Sequence, residues 1–249
     1  TLGLDILEQR PDVDTVIVPI GGGGLISGVA SAVKQAAALV GRTIRVIGVQ
    51  AANAAAYPVS LKKGMPSDIT ITPTIADGIA VSRPGELNFE MIRHLVDEVV
   101  TVSEDDMAQA LLVLLERAKL VVEPAGAVGV AAILAGRVHA SGTTVVVLSG
   151  GNIDPMVMER VISHGLAASE RYLKLRIPLP DRPGQLARVS ALVAECSANV
   201  VEVLHTRHNN SLAISQVELE LHIETRGPEH AELVLARLRD EGFEPRVDF

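Results

Sequence analysis

Thr15-Val16-Ile17-Val18-Pro19-Ile20-Gly21-Gly22-Gly23-Gly24-Leu25 decides the fold of this chain: an apolar run stops at four glycines, and an alanine-rich amphipathic segment follows. That order is strand, bare-backbone loop and helix N-terminus, the opening unit of an α/β sheet. Glycines carry no Cβ, so a ligand can approach the main chain closely. The first N–H groups of the following helix have no intrahelical acceptor and lie at the positive end of its dipole. Such a loop suits an anion, and a phosphate-bearing cofactor is the first expectation. A glycine-rich turn that binds nothing is the alternative.

The residues around the loop choose among cofactors. A nucleoside triphosphate loop needs Lys-Ser/Thr after its last glycine, and here Gly24 is followed by Leu25-Ile26. The dinucleotide fingerprint fits loosely: Gly22 and Gly24 supply its first two glycines, but Ser27 stands at the third, with Gly28 one place late. The next strand ends at Gln50 rather than at the acid that would hold a ribose hydroxyl. What remains is a small phosphorylated cofactor without ribose, of which pyridoxal phosphate is the obvious case.

Composition bounds the partners. With 249 residues, 48% apolar content and a positive mean hydropathy, the chain can bury a sizeable core and is long enough for two domains. A net charge of −8 without a Lys/Arg cluster argues against nucleic acid and anionic membrane, leaving small molecules or further copies of the chain. No uncharged apolar run reaches membrane-spanning length, and the N-terminus lacks the order of a signal peptide. The single cysteine, Cys196, cannot form an internal disulfide, which fits a reducing cytoplasm.

Two regimes of periodicity divide the chain. Up to about residue 168 the pattern predicts strand 15–20, helix 24–40, strand 43–50, helix 86–96, strand 98–102, helix 104–119, helix 124–136 and strand 143–149. This is α/β order with an open, largely parallel sheet. The segment 64–84, rich in Pro, Ser, Thr and Asp, reads as irregular chain over the carboxyl ends of the strands, where ligands of such sheets bind. From residue 171 the pattern predicts strand 171–179, a turn at Asp181-Arg182-Pro183-Gly184, helix 185–196, strand 199–206, a hairpin turn at Asn209-Asn210, strand 212–224, a helix from Pro228 to about Asp240 and strand 243–249. The order βαββαβ is the split βαβ, ferredoxin-like arrangement. The expected domains are therefore 1–166 and 171–249, joined by a linker at 167–170.

The motifs resemble those of pyridoxal-phosphate threonine dehydratases, also called threonine ammonia-lyases, of PLP fold type II. The resemblance rests on Ile17 to Leu25, Ile75-Ala76-Asp77-Gly78, Val81-Ser82-Arg83-Pro84-Gly85, Val122-Glu123-Pro124-Ala125-Gly126-Ala127 and Leu148-Ser149-Gly150-Gly151-Asn152. The tail resembles the ACT regulatory module, with Asp181 to Leu186 at its first turn and Asn199-Val200-Val201 opening its second strand.

The resemblance implies roles for particular residues. In this family the tetraglycine loop holds the cofactor phosphate, which assigns that role to Gly21, Gly22, Gly23, Gly24 and the amide of Leu25. Ser149 falls where the family's serine hydroxyl meets the pyridine nitrogen, with Gly150 beside it. A neutral hydroxyl does not force that nitrogen to be protonated, which favours β-elimination over transamination. Read without the resemblance, Ser149 is a helix cap before Asp154-Pro155, and Glu123 a charge at the start of the helix opened by Pro124. The resemblance puts Glu123 near the cofactor ring. Asp77 and Ser82 are substrate-side candidates in a stretch where polar residues also make ordinary turns. Asp181, Gly184 and Asn199 are the effector-binding candidates, pure oligomerisation being the other reading of the tail. The implied activity is a lyase reaction of amino-acid metabolism, as in isoleucine biosynthesis: L-threonine gives 2-oxobutanoate and ammonia, and L-serine gives pyruvate. The implied assembly is a cytoplasmic homo-oligomer, dimer or tetramer, with paired ACT modules and an amino-acid effector.

Two departures from the relatives are visible. Serine racemases of the same fold hold a divalent cation with a Glu and an Asp where this chain has Gln50 and Ala56, and a hard cation needs carboxylate oxygens. His205 and His208 point to opposite faces of a strand, so no metal site is expected. More consequential, the family's Schiff-base lysine lies in a Ser-x-Lys-x-Arg-Gly motif, followed by Ser-x-Gly-Asn-His, and neither occurs here. Thr1-Leu2-Gly3-Leu4 matches the family inside the catalytic domain, so the chain is expected to be the carboxyl portion of a longer enzyme and inactive alone. A non-catalytic regulatory fragment and a serine racemase-like enzyme are the alternatives.

Overall fold

The computed structural model describes residues 1–206 and 216–248, so Asn209-Asn210, His208 and the start of the strand expected from 212 lie outside the described residues. The chain forms two compact units, Thr1–Ile162 and Ser163–Phe249.

The first unit runs α1 (Leu2–Gln9), β1 (Thr15–Pro19), α2 (Gly24–Leu39), β2 (Arg45–Ala51), α3 (Ala56–Lys63), α4 (Glu86–Leu95), β3 (Glu98–Val102), α5 (Glu104–Val113), α6 (Pro124–Leu134) and β4 (Thr144–Val146), and α7 (Pro155–Ala168) begins in it. The strands form one parallel sheet in the order β3-β2-β1-β4. β1 is buried along its whole length, which is why its sequence shows no alternation. Val16 and Val18 join the core under α2 with Ile26, Val29 and Val33, whereas Ile17 joins the opposite core with Val128 and Ala131 of α6. Helices therefore cover both faces of the sheet. The chain steps from β1 to β2 to β3 and then returns to place β4 on the far side of β1, so β1 and β4 flank the switch point of the topology, where an open α/β sheet binds ligands.

Close backbone approach sets the position of α6. A Cβ on Gly126 would lie 1.7 Å from the Ser149 carbonyl oxygen, and one on Gly129 would lie 2.6 Å from Val146 Cγ1. Only a bare helix face lets α6 sit this close to β4 and to the segment that follows it.

Several elements differ from the sequence expectation. The helix expected over 104–119 is α-helical only to Val113; Leu114–Ala118 is a π-helical turn, and Lys119 ends it at φ 59. The start is marked by a capping box between Ser103 and Asp106, but Leu111-Leu112-Val113-Leu114-Leu115 has no polar face on which a change of pitch would register. The strand expected over 143–149 is confined to Thr144–Val146; the Val147 N–H still donates to the Ile17 carbonyl at 2.9 Å, and Gly150 turns the chain out further on at φ 77. Helix α1 was not expected; α3 closes at Gly64, φ 74, just after Lys62 and Lys63, a lysine pair before glycine that reads as a helix end, and α7 starts at Pro155, where Asp154-Pro155 offered a helix start. The linker expected at 167–170 starts late: Ala167 and Ala168, good helix formers, complete α7, and Ser169 Oγ donates back to the Gly165 carbonyl at 2.9 Å.

The second unit continues as β5 (Tyr172–Pro180), α8 (Gln185–Glu195), β6 (Asn199–Thr206), β7 (Gln216–Glu224), α9 (Pro228–Asp240) and β8 (Arg246–Asp248), an antiparallel sheet in the order β6-β7-β5-β8. The last strand is shorter than the expected 243–249, and Phe243 instead fills the core. Leu173, Leu175, Ile177 and Leu179 of β5 and Val217, Leu219, Leu221 and Ile223 of β7 bury one face against α8 and α9. The other face is charged. Lys174 Nζ lies 3.0 Å from Glu220 Oε1, and Arg176 lies 2.9 Å from Asp248 Oδ2. The Lys174 ammonium, then His222, hold the Glu220 carboxyl below the usual carboxylate range. Among the described residues no helix is long and apolar enough to cross a membrane.

Two predictions follow from this packing. Gly126→Ala should cost on the order of 1–3 kcal/mol in urea denaturation, while Gly28→Ala, at an exposed position of α2 with nothing within 4 Å of the added atom, should be neutral or slightly stabilising. Equal effects would mean that the α6 contact is not a constraint. Because the folded Glu220 carboxyl is depressed, its contribution is present above the ordinary carboxylate pKa and is lost as pH falls through the folded value. Thermal unfolding between about pH 7 and about pH 3 should therefore show a smaller acid-induced loss for Glu220→Gln than for the unmodified protein, and identical slopes would remove the ion pair from the account.

Candidate functional site

A cavity of about 230 Å³ opens at the β1–β4 switch point, lined by Pro19, Gly21, Gly22, Gly23, Gly24, Leu25, Gly78, Ile79, Glu123, Ala125 and Ser149. Four separate stretches of chain meet there. The strand β1 delivers the tetraglycine loop and the first turn of α2; a 3-10 turn, Asp77–Ile79, forms one side; the start of α6 gives Glu123 and Ala125; and the chain leaving β4 gives Ser149.

The loop is shaped by its neighbours. A Cβ on Gly21 would stand 3.2 Å from Ile79 Cα, and Gly23 adopts φ 92 with Tyr57 Oη 2.1 Å from where its Cβ would be. At Gly22 and Gly24 nothing lies within 4 Å of such an atom, so the main chain is open to a ligand. The Gly22 carbonyl accepts from Tyr57 Oη at 3.0 Å and from Asn88 Nδ2 at 2.8 Å. Burial pushes the Tyr57 phenol up to about 12, so it remains a donor. Gln50 is fully buried behind it, accepting from the Tyr57 N–H at 2.9 Å and donating to the Ile20 carbonyl at 3.3 Å.

Glu123 heads α6, but its side chain makes no cap hydrogen bond; its carbonyl accepts from the N–H groups of Gly126 and Ala127 instead. The carboxylate lies against Gly150, where a Cβ would be 2.2 Å from Glu123 Oε1, and faces Gly78, where the gap to a Cβ would be 3.4 Å. The Glu123 N–H donates to the Gly150 carbonyl at 3.2 Å, tying the two walls together. Ser149 does not cap α7, because Asp154 Oδ1 accepts from the Met156 N–H at 2.7 Å in that place.

Of the residues singled out from sequence, Gly21 to Gly24, Leu25, Glu123 and Ser149 line the cavity, and Gly150 supports Glu123 from behind. Asp77 and Ser82 are not among its lining residues: the Asp77 carboxylate accepts from the Gly78 N–H at 2.8 Å, and the Ser82 carbonyl accepts from Ile69. Gly184, at φ 90, heads α8 just after Asp181, whereas Asn199 follows the other end of that helix and donates to Glu224 at 3.2 Å. The strand register puts them at opposite ends of the sheet, Pro180 pairing with Gln216 and Tyr172 with Glu224. The residues that sequence reasoning missed are Tyr57 and Asn88; one of only two tyrosines, set in an alanine-rich stretch, was the available signal.

The donor set fits pyridoxal phosphate: an open run of N–H groups at a helix N-terminus for the phosphate, with a hydroxyl and a carboxylate on the facing walls.

Comparison with known proteins agrees with this geometry. A family model described as pyridoxal-phosphate dependent enzyme matches residues 1–150. The L-threonine ammonia-lyase of Geobacter sulfurreducens is 48% identical over 244 residues, which is 98% of this chain and 60% of that protein. Among solved structures, the processed form of threonine deaminase isoform 2 from Solanum lycopersicum aligns with a TM-score of 0.60 and 32% identity, covering 66% of this chain and 48% of that one. Maize serine racemase aligns with a TM-score of 0.58 and 35% identity, covering 65% and 51%. The chain spans about 60% of the length of the curated relatives that it matches along nearly its whole extent. With the loop, the switch-point cavity and the family match in agreement, this chain belongs to the pyridoxal-phosphate dependent enzymes.

Proposed function

We propose that residues 1–166 are the cofactor-holding part of an L-threonine ammonia-lyase, and that residues 171–249 are an ACT-like module that pairs with a second copy and answers to an amino acid. The observation that carries the first half is the meeting of the tetraglycine loop, Glu123 and Ser149 in one cavity at the switch point. Bound pyridoxal phosphate supplies an electron sink for the charge left at Cα when threonine loses its proton. The chain's own residues would bind and orient it: the N–H groups of Gly21 to Leu25 on the phosphate, the Ser149 hydroxyl on the ring nitrogen, and the Glu123 carboxylate beside the ring. A neutral hydroxyl at the nitrogen moderates the sink, which suits loss of the β-hydroxyl to give 2-oxobutanoate, or pyruvate from L-serine.

Racemisation of serine is the second reading, suggested by the likeness to maize serine racemase. Against it, the positions where racemases carry cation carboxylates hold Gln50, whose amide is committed to Ile20 and Tyr57, and Ala56. The regulatory reading of the tail is supported by its βαββαβ order and by the wide separation of Gly184 and Asn199. A ligand touching both must lie between two copies. β6 offers an edge for such pairing, with Val201, Val203 and Leu204 exposed along it.

No lysine is among the described residues lining the cavity, and the family's lysine motif does not occur in the sequence. The isolated 249-residue chain should thus form no 2-oxobutanoate from L-threonine in the presence of pyridoxal phosphate, and formation above the protein-free rate would overturn that expectation. In an enzyme that supplies the lysine, Ser149→Ala should lower kcat roughly tenfold, the value of about one hydrogen bond; an unchanged kcat would remove Ser149 from the site.

A further inference from the structure

Four consecutive glycines have no side chains with which to hold their own conformation, and glycine peptides turn over easily. Something outside the loop must fix it. A trans peptide is planar, with its C=O and N–H pointing in opposite directions. Fixing the carbonyl of Gly22 therefore also fixes the N–H of Gly23.

Both acceptor positions of the Gly22 carbonyl are taken, by Tyr57 Oη at 3.0 Å and Asn88 Nδ2 at 2.8 Å. The two donors come from α3 and α4, neither of which lines the cavity. With the carbonyl drawn toward these helices, the Gly23 N–H faces the other way. Tyr57 is itself held: its N–H donates to the buried Gln50 amide, which reaches on to the carbonyl of Ile20, the residue that leads into the loop.

We propose that Tyr57 and Asn88 are positioning residues that lock the Gly22–Gly23 peptide with its N–H toward the ligand, so that they govern affinity for the cofactor's phosphate and not for its ring. The proposal rests on the reading that Gly21 to Leu25 hold that phosphate. Neither residue touches the cofactor. Their effect passes through a single peptide plane, and Gln50 keeps the Tyr57 end of the clamp in register with the end of β1.

The test compares two ligands that differ only in the phosphate. Apo-protein is titrated with pyridoxal 5′-phosphate and, in parallel, with pyridoxal, for the unmodified chain, Tyr57→Phe and Asn88→Ala. Thermal unfolding of the unliganded proteins is recorded alongside. The clamp predicts a loss of roughly tenfold in pyridoxal 5′-phosphate affinity in each variant, the effect of one net hydrogen bond, with pyridoxal affinity unchanged. The 31P resonance of the bound cofactor should move as well. Unchanged pyridoxal 5′-phosphate affinity in a folded variant, or an equal fall for both ligands, would overturn the proposal. If the unmodified protein binds both ligands equally, the failure lies instead with the phosphate assignment of the loop. Tyr57→Phe removes only a hydroxyl and Asn88 lies on a different helix, so one variant remains informative should the other misfold.

Discussion

The contact between Gly126 and the Ser149 carbonyl is the constraint on which the rest of the first unit depends. It joins backbone to backbone, with no room for a methyl group, and so sets how far α6 stands from the end of β4. From that one spacing follow the seat of Glu123 at the head of α6, its position against Gly150, and its place with Ser149 in the cavity that the tetraglycine loop lines. Side-chain packing under the sheet is broad and tolerant in comparison, because Ile17, Val128 and Ala131 fill volume rather than define a position.

Much of this was legible in the sequence. The stop of an apolar run at Gly21 announces both the end of a strand and a loop of bare backbone, and β1 ends at Pro19 with α2 starting at Gly24. Clean alternation in β5 and β7 gave the second sheet its buried face at Leu173 to Leu179 and Val217 to Ile223, because one side of that sheet is charged. What was not legible has physical causes. The π-helical turn at Leu114–Ala118 hides in a run that is apolar all round, and the start of α3 hides because its short sequence, Ala56-Tyr57-Pro58-Val59-Ser60-Leu61-Lys62-Lys63, carries little amphipathic signal. The support of the loop by Tyr57 and Asn88 depends on contacts between residues far apart in sequence, which no local pattern contains.

The two units solve the same problem with opposite means. In the first, glycines let backbone approach closely, main chain at Gly21 and Gly126 and side chains at Gly23, Gly129 and Gly150, while Gly22 and Gly24 stay open and leave a ligand facing peptide groups. In the second, paired side chains of alternating charge cover one face of an antiparallel sheet, with Lys174, Arg176, Glu220 and Asp248 neutralising one another. A rigid backbone cradle favours a fixed cofactor. A charged sheet face leaves the apolar side chains Val201, Val203 and Leu204 exposed on the edge strand β6.

The pairing of β1 with β4 joins Thr15 to Thr144, nearly the full span of the first unit, and the two walls of the cavity follow directly from those strands. Bringing them together closes a long loop, an entropic cost that the paired strands must offset. The β1–α2 turn is local, whereas Ser149 reaches the cavity only through that long-range pairing. Any ligand that bridges the walls thus recognises only the completed sheet, and through mass action it draws the folding equilibrium toward that state.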